Sequence, residues 1–316
     1  MSEGTLSMIV PTFNTAAMTL ATCRAALDAA PPNTELIVVD DASSDNTREL
    51  LAAELPNVRV VRLNENRRFA AAANAGVAVA HGAIILLLNS DAVVERDSLR
   101  ALVAAFDAEP SLGVAGARLL NEDGTPQWSG GPVPTLAWLT VLAGGFASLL
   151  PRRRRAFGGA QPAWVSGAAM AFRRSVFDVA GPLREHYRFY AQDLDFCLRA
   201  RAAGWNVRVV EEARVVHGGG VTVRQWRSVD ELPHDPALLW PDLLTWGREH
   251  HGVAWSTTAR MLMIVAAFVR ITSRRLRELV LRGDARVRSR STTAAYVAAL
   301  RQLFAKSEEP LRQRIS

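Results

Sequence analysis

The stretch LLLNSDAVVERDSL, residues 86–99, decides how the chain is read. An apolar run from Ile84 to Leu88 reads as a buried strand; it stops at Asn89, Ser90 and Asp91, and a helix-like pattern comes next. In an open α/β sheet, ligands gather at the carboxyl ends of strands. Asp91 is therefore either a turn acid or a carboxylate with something to hold, and the other strand ends bear on which.

Working outward, LSMIV (6–10), ELIVVD (35–40), NVRVVRL (57–63) and AIILLL (83–88) read as strands, and residues 16–29, 45–54 and 69–80 read as helices between them. This alternation implies an α/β fold with a mainly parallel open sheet flanked by helices. Right-handed crossovers then leave the carboxyl ends on one edge. Each end is polar: Thr12 and Asn14, Asp40 and Asp41, Asn64 and Asn66, Asn89 and Asp91. Residues 121–162 are rich in Gly and Pro without a steady period and read as loops with one apolar segment, an expected acceptor-side region. Order resumes over 163–181, then a helix is expected from about Asp193 to Ala203, stopped by Gly204 and followed by a strand.

Composition narrows the class. The 316 residues are 49% hydrophobic and 22% charged, ordinary for a globular protein with a large core. Cys23 and Cys197 make no disulfide framework, and a reducing cytosol suits them. The first residues, MSEGTLSMIVPTFN, carry no basic and apolar leader pattern, so no signal peptide is expected. The charge of +6 is uneven: from Arg270 onward, twelve Lys/Arg stand against four Asp/Glu, whereas the rest has 25 basic and 27 acidic residues. That argues against a nucleic-acid-binding core and for a tail that meets an anionic surface or a partner chain. The apolar segments 136–150 and 261–269 each fall short of the ~20 residues that span a bilayer, and each ends in arginines. They read either as interfacial segments or as buried helices with solvated basic ends.

The first strand ends in PTFNTAA, with no glycine, so a dinucleotide-binding turn is excluded at its most diagnostic point. VDDASSDNT (39–47) places Asp40 and Asp41 where they could accept from a base imide or a ribose hydroxyl; standing alone they read equally as turn and cap chemistry.

Taken in order, PTFN, VDDASSDNT, NRRFAAAANAG (66–76), LLLNSDAVV, SGAAMAFRRSVFDVAGPL (166–183), YAQDLDFCLRARAAGW (190–205) and HGGG (217–220) resemble the successive motifs of family 2 glycosyltransferases of GT-A fold, with the rhamnosyltransferase-like branch most similar. The resemblance covers about residues 5–222 and implies a nucleotide-sugar-binding and catalytic domain over 1–222, followed by a helical basic extension over 223–316. It implies a nucleoside diphosphate sugar bound by Pro11, Thr12, Phe13, Asn14, Asp40, Asp41, Arg68, Asn74, Asn89 and Gly167. Arg68 stands where the branch usually has glycine, and a guanidinium fork suits phosphate oxygens. Asp91 matches the last acid of the family's metal-binding element, with Asn89 in place of the first, and His217 is expected to complete a site for Mg²⁺ or Mn²⁺. Asp193 inherits the catalytic base, with Gln192 where the family usually has Glu, while Asp195 and Arg199 are spaced to pair on one helix face.

The activity so implied is inverting transfer of a sugar to a hydroxyl of a glycan or lipid-linked acceptor in envelope polysaccharide synthesis, on the cytoplasmic side of a membrane. The resemblance points to dTDP-L-rhamnose as donor. UDP-galactofuranose and UDP-N-acetylglucosamine stay open, as does a non-catalytic module of the same fold. His250 and His251 read as surface or packing residues, and the tryptophans as core.

Overall fold

A computed structural model describes residues 6–144, 162–218 and 235–304. In chain order the first part runs β1 (Leu6–Thr12), α1 (Ala16–Ala29), β2 (Glu35–Asp40), α2 (Thr47–Glu54), β3 (Arg59–Arg62), α3 (Arg68–Val79), β4 (Ile84–Leu88), β5 (Ala92–Val94), α4 (Ser98–Ala108) and β6 (Leu112–Leu120). It continues with β7 (Gly130–Gly131), α5 (Leu136–Gly144), β8 (Trp164–Val165), β9 (Ala169–Arg173), α6 (Arg174–Ala180), α7 (Gln192–Ala202) and β10 (Asn206–His217). Two long helices complete it, α8 (Pro236–Glu278) and α9 (Gly283–Phe304).

Eight strands form one sheet in the order β3-β2-β1-β4-β9-β6-β10-β5. The first four pair in parallel, as do β6 and β10, while β9 runs antiparallel between β4 and β6, and β5 runs antiparallel on β10. Strand order reverses between β1 and β4, the place where an open sheet leaves a crevice at its carboxyl edge.

Both faces of β1, β2 and β4 are buried, which is why these strands read as unbroken apolar runs. Met8, Val10, Leu36, Val38, Leu86 and Leu88 face a core shared with α1 and α4. Ile9, Ile37, Val39, Ile85 and Leu87 face the opposite core, shared with α3 and α7. The alanines of α3 let that helix lie close on the sheet. At Gly76 the approach is closest: a Cβ would stand 2.3 Å from Ile9 Cγ2. The helix ends are splinted by two adjacent arginines. Arg173 donates to Phe106 O and Leu112 O beyond α4, and Arg174 donates to Ala80 O and Gly82 O beyond α3.

The structure departs from the sequence expectation at three places. The residues straight after Asp91 form β5, not a helix, because Ala92–Val94 pair with Val215–His217; the helix starts only at Ser98. The loop region 121–162 contributes a two-residue strand, β7, which pairs with β8 beyond it. The described residues also divide into two compact units, 6–133 with 162–218, and 134–144 with 235–304. The apolar segment at 136 therefore packs with the C-terminal helices instead of the nucleotide-side domain; the expected boundary at 222 lies outside the described residues.

In the second unit α8 turns at Gly252, whose φ is 85°. Beyond the turn Ser256, Ala259, Met263 and Ala267 are buried, and the unit's core also holds Tyr296, Ala299 and Leu303 of α9. Arg260 donates to Leu303 O at 3.1 Å, and Arg270 bonds the Tyr296 hydroxyl and lies over its ring. Met261, Val265, Phe268, Val269 and Leu276 are exposed. At 100° per residue these form a second apolar stripe opposite the buried one. The nine-residue apolar segment counted from sequence is thus part of a much longer helix. By length and composition alone that helix could cross a bilayer, and 28% of its most apolar window is buried.

Candidate active site

The ends of β1 and β2 spend their polar groups on each other. Thr12 is buried, with Oγ1 2.9 Å from Thr15 Oγ1 and 2.6 Å from Thr19 Oγ1, and Thr15 donates onward to Ser90 Oγ at 3.1 Å. Asn14 sits in the left-handed region at φ 53°; its backbone N–H donates to Ser43 Oγ and its side-chain oxygen accepts from Ser44 N at 2.7 Å and Asp45 N at 3.3 Å. Asp45 in turn accepts from Ala16 N and Thr47 N, closing the start of two helices. Asp40 is fully buried: Oδ1 accepts from Ser43 N at 2.8 Å, and Oδ2, without a hydrogen bond, faces Arg62 Nη1 at 3.5 Å. Asp41 accepts from the backbone N–H of Arg67 and of Arg68, each at 2.7 Å, and so folds the entry to α3. Burial pushes its carboxyl up to about 6, against the lowering effect of those two N–H groups.

These hydrogen bonds give several of the expected ligand residues a structural part in the turn. Thr12, Asn14, Asp40 and Asp41 shape the turn that borders the crevice, and Pro11 is a buried strand residue paired with Val39. Phe13, half-buried in the turn, is the more open of the PTFN group's apolar residues. Asn74 is also committed: its Nδ2 donates to Leu183 O at 2.8 Å and its Oδ1 accepts from Leu183 N at 3.0 Å, pinning the loop before α7 onto α3. Arg68 is different. It opens α3 at φ 71°, its backbone held by Asp41, with its side chain exposed.

At the other side of the crevice, β4 and β10 bring Asn89, Asp91 and His217 together. Asn89 Nδ2 lies 3.1 Å and Asp91 Oδ1 lies 3.3 Å from His217 Nε2. The pairing of β5 with β10 sets this geometry, with His217 opposite Ala92 and Gly218 N donating to Asp91 O. A residue the sequence reading missed orients the ring: Gln127 Oε1 lies 2.7 Å from His217 Nδ1. With the proton on Nδ1, the Nε2 lone pair faces the Asp91 carboxylate. A carboxylate oxygen and an imidazole nitrogen converging at that distance fit Mn²⁺ or Mg²⁺. The residues present therefore fit the expected metal.

Asp193 begins α7. Its Oδ2 accepts from Gly167 N at 2.9 Å and its Oδ1 from Leu194 N at 2.8 Å. Burial raises its carboxyl above the usual range, against the lowering by those backbone groups. Gly167 thus holds the candidate base. The next residue, Ala168, accepts from Asn89 N at 2.9 Å, so one short segment ties Asp193 to the Asn89–Asp91 turn. Gln192 is buried, donating to Phe189 O, with its Oε1 unbonded. Asp195 and Arg199 pair at 2.8 Å as expected, and Arg199 also donates to Gly181 O and Pro182 O, fixing the turn before α7.

Comparison with known proteins places this geometry. The family described as Glycosyl transferase family 2 matches residues 7–180, more than half of the chain. An N-acetylglucosaminyl-diphospho-decaprenol L-rhamnosyltransferase of Mycobacterium tuberculosis is 27% identical over 201 residues, 58% of this chain and 66% of that one. The O-antigen chain rhamnosyltransferase WbaN of Salmonella anatum is 25% identical over 197 residues, 60% of this chain and 58% of that one. The chain thus spans less than two thirds of the length of either relative. Among solved structures, the mannosyltransferase PcManGT of Pyrobaculum calidifontis, in complex with GDP-Man and Mn²⁺, superposes with a TM-score of 0.55 at 19% identity, covering 96% of this chain and 88% of that one. At that identity the likeness shows the fold alone, and the fold is the expected GT-A. With its motifs in order on that fold, the chain belongs to glycosyl transferase family 2, on the rhamnosyltransferase-like branch.

Proposed function

We propose that the chain is an inverting glycosyltransferase that moves a sugar from a nucleoside diphosphate sugar to a hydroxyl of a glycan or lipid-linked glycan in envelope polysaccharide synthesis. One observation carries the proposal: residues 167 and 168 join Asp193, whose carboxyl burial raises, to Asn89, which stands beside the Asp91–His217 pair. Asp193 takes the proton of the acceptor hydroxyl, whose oxygen attacks the anomeric carbon. The bond to the diphosphate breaks with its electron pair on the departing oxygen. A carboxylate raised by burial is the stronger base for this step. Asp91 and His217 would hold Mg²⁺ or Mn²⁺, which would offset the charge of the departing diphosphate. Arg68 offers an exposed guanidinium at the start of α3, a fork that suits phosphate oxygens. The names of the two relatives support rhamnose as the sugar moved, and with it dTDP-L-rhamnose as the donor to test ahead of UDP-galactofuranose and UDP-N-acetylglucosamine.

The test is release of nucleoside diphosphate from dTDP-L-rhamnose and the UDP-sugars in the presence of a membrane extract as acceptor source. Asp193→Asn should cut turnover by at least ~100-fold while leaving donor binding in place. Equal turnover in the variant removes Asp193 from the base role. Donor binding with no turnover in the native chain favours the non-catalytic module.

The exposed apolar stripe of α8, flanked by Arg274, Arg275 and Arg277, supports peripheral attachment to the cytoplasmic face of a membrane. Flotation with vesicles containing anionic phospholipid should carry the native chain and weaken with salt. The double variant Val265→Asp, Phe268→Asp should stay behind. Flotation of both alike argues against this surface and leaves a partner chain as the occupant to seek.

A further inference from the structure

We infer that Gln127 is a positioning residue that holds His217 in its Nδ1–H form, so that Nε2 keeps a lone pair beside Asp91. The inference rests on the site proposed at Asp91 and His217, and begins on the turn at residues 121–127.

Hydrogen-bond directions can be deduced here from groups that have no choice. The Asp123 carboxylate only accepts, so the Thr125 hydroxyl, 2.5 Å away, donates to it. That hydroxyl is then free to accept from Asn121 Nδ2 at 2.9 Å, which turns Asn121 Oδ1 toward Gln127 Nε2 at 3.0 Å. A second group fixes Gln127 independently: the same Nε2 donates to the backbone carbonyl of His217 at 3.2 Å. Both constraints turn Gln127 Oε1, an acceptor only, toward His217 Nδ1 at 2.7 Å. Nδ1 must therefore carry hydrogen. The chain of donors runs one way, from imidazole to amide to amide to hydroxyl to carboxylate, and each bond polarises the next. Such a chain makes Nε2 a better electron-pair donor, as a carboxylate partner does for a metal-bound histidine.

The turn is itself well determined. Asn121 N donates to Thr125 O at 2.8 Å, Gly124 takes φ 76°, and Gln127 N donates to Leu119 O at 2.8 Å. Asn89 Nδ2 stands 3.1 Å from Nε2 as a donor to its lone pair, consistent with the same ring form.

Long-range proton–nitrogen NMR on the metal-free full chain with labelled histidine reads the ring form directly. The native chain should show His217 with hydrogen on Nδ1 and a bare Nε2. Gln127→Met, similar in length without the amide, should shift the ring toward Nε2–H or a mixture, and Mn²⁺ affinity measured by calorimetry should fall by about 10–100-fold. Gln127→Glu keeps an acceptor oxygen and should keep the native ring form. Asn121→Ala cuts the chain one step further out and should weaken Mn²⁺ less than Gln127→Met does. Nε2–H in the native chain, or an unchanged ring in Gln127→Met, overturns the inference. A native chain with the Nδ1–H ring that binds no Mn²⁺ sinks the metal reading of the site, while the ring assignment stands on the NMR result.

Discussion

Two edges of one crevice use the same residue types in opposite ways. At the ends of β1 and β2, Asn14, Asp40, Asp41 and Asp45 each accept from backbone N–H groups. At the ends of β4 and β10, Asn89, Asp91 and His217 point polar atoms at one another. Apart from Asp40 Oδ2, which faces Arg62 without a hydrogen bond, the first edge serves these groups internally and gains shape. The second gathers a carboxylate oxygen, an imidazole nitrogen and an amide at one point, a donor set that suits a cation. An Asn or Asp at a strand end is thus not a ligand contact by type; what decides is whether backbone donors have already claimed its oxygens.

The comparison breaks first at Asp91. With free Mn²⁺ at about 100 times Kd, the native chain should gain about 2.7 kcal/mol of stability, visible as a raised Tm that EDTA reverses. Asp91→Ala should lose that gain and keep its metal-free Tm within a few degrees. A full Mn²⁺ shift in Asp91→Ala would remove the second edge from metal binding and leave the two edges alike.

Asp41 sharpens the first edge. Asp41→Asn removes one of the two oxygens that accept from Arg67 N and Arg68 N, and should cost about 1–3 kcal/mol. The cost should depend on pH. Burial raises the folded pKa to about 6 from an ordinary 3.8, so the fold holds its proton more tightly than the unfolded chain does. The native contribution is therefore fully present below the unfolded value and lost as pH rises through about 6. The stability gap between native and Asp41→Asn should narrow across that window in urea titrations. A gap that widens there would mean that the two N–H bonds to the ionised form outweigh burial.

Much of the sheet was legible because both its faces are buried: β2 and α1 begin and end where the apolar pattern does, at 35–40 and 16–29. The short strand after Asp91 was not legible. Ala92–Val94 is three residues long and gains its strand only from β10, more than a hundred residues on. Asp91, His217 and Asp193 were found through motif order, and the structure brings Asp91 and His217 together and links Asp193 to them through residues 167 and 168. Gln127 left no signal, since a glutamine in a Gly/Pro-rich loop means nothing until the fold sets it against a ring 90 residues away. Asn14 and Asp40 were legible as polar residues at the right edge, and Asn74 through motif order alone. Their partners were not, because a saturating backbone N–H has no letter in the sequence.

The smallest expected effect belongs to Asn14, and it tests the distinction most directly. Its side-chain oxygen serves Ser44 N and Asp45 N, both on an exposed turn where water can take over as acceptor. Asn14→Gly keeps the left-handed backbone available and removes only the side chain, so it should cost about 1 kcal/mol. Asn14→Ala should cost roughly 1–2 kcal/mol more, from the φ of 53° alone. Urea midpoints for the two variants separate the bonds from the backbone conformation. Nucleoside diphosphate affinity should fall in step with the loss of stability, since the turn bordering the crevice loosens as a unit. If Asn14→Gly keeps its stability and nevertheless loses the nucleotide, Asn14 belongs with Asp91 and His217 as a residue that faces the ligand. The division between a shaping edge and a binding edge would then fall inside the PTFN turn itself.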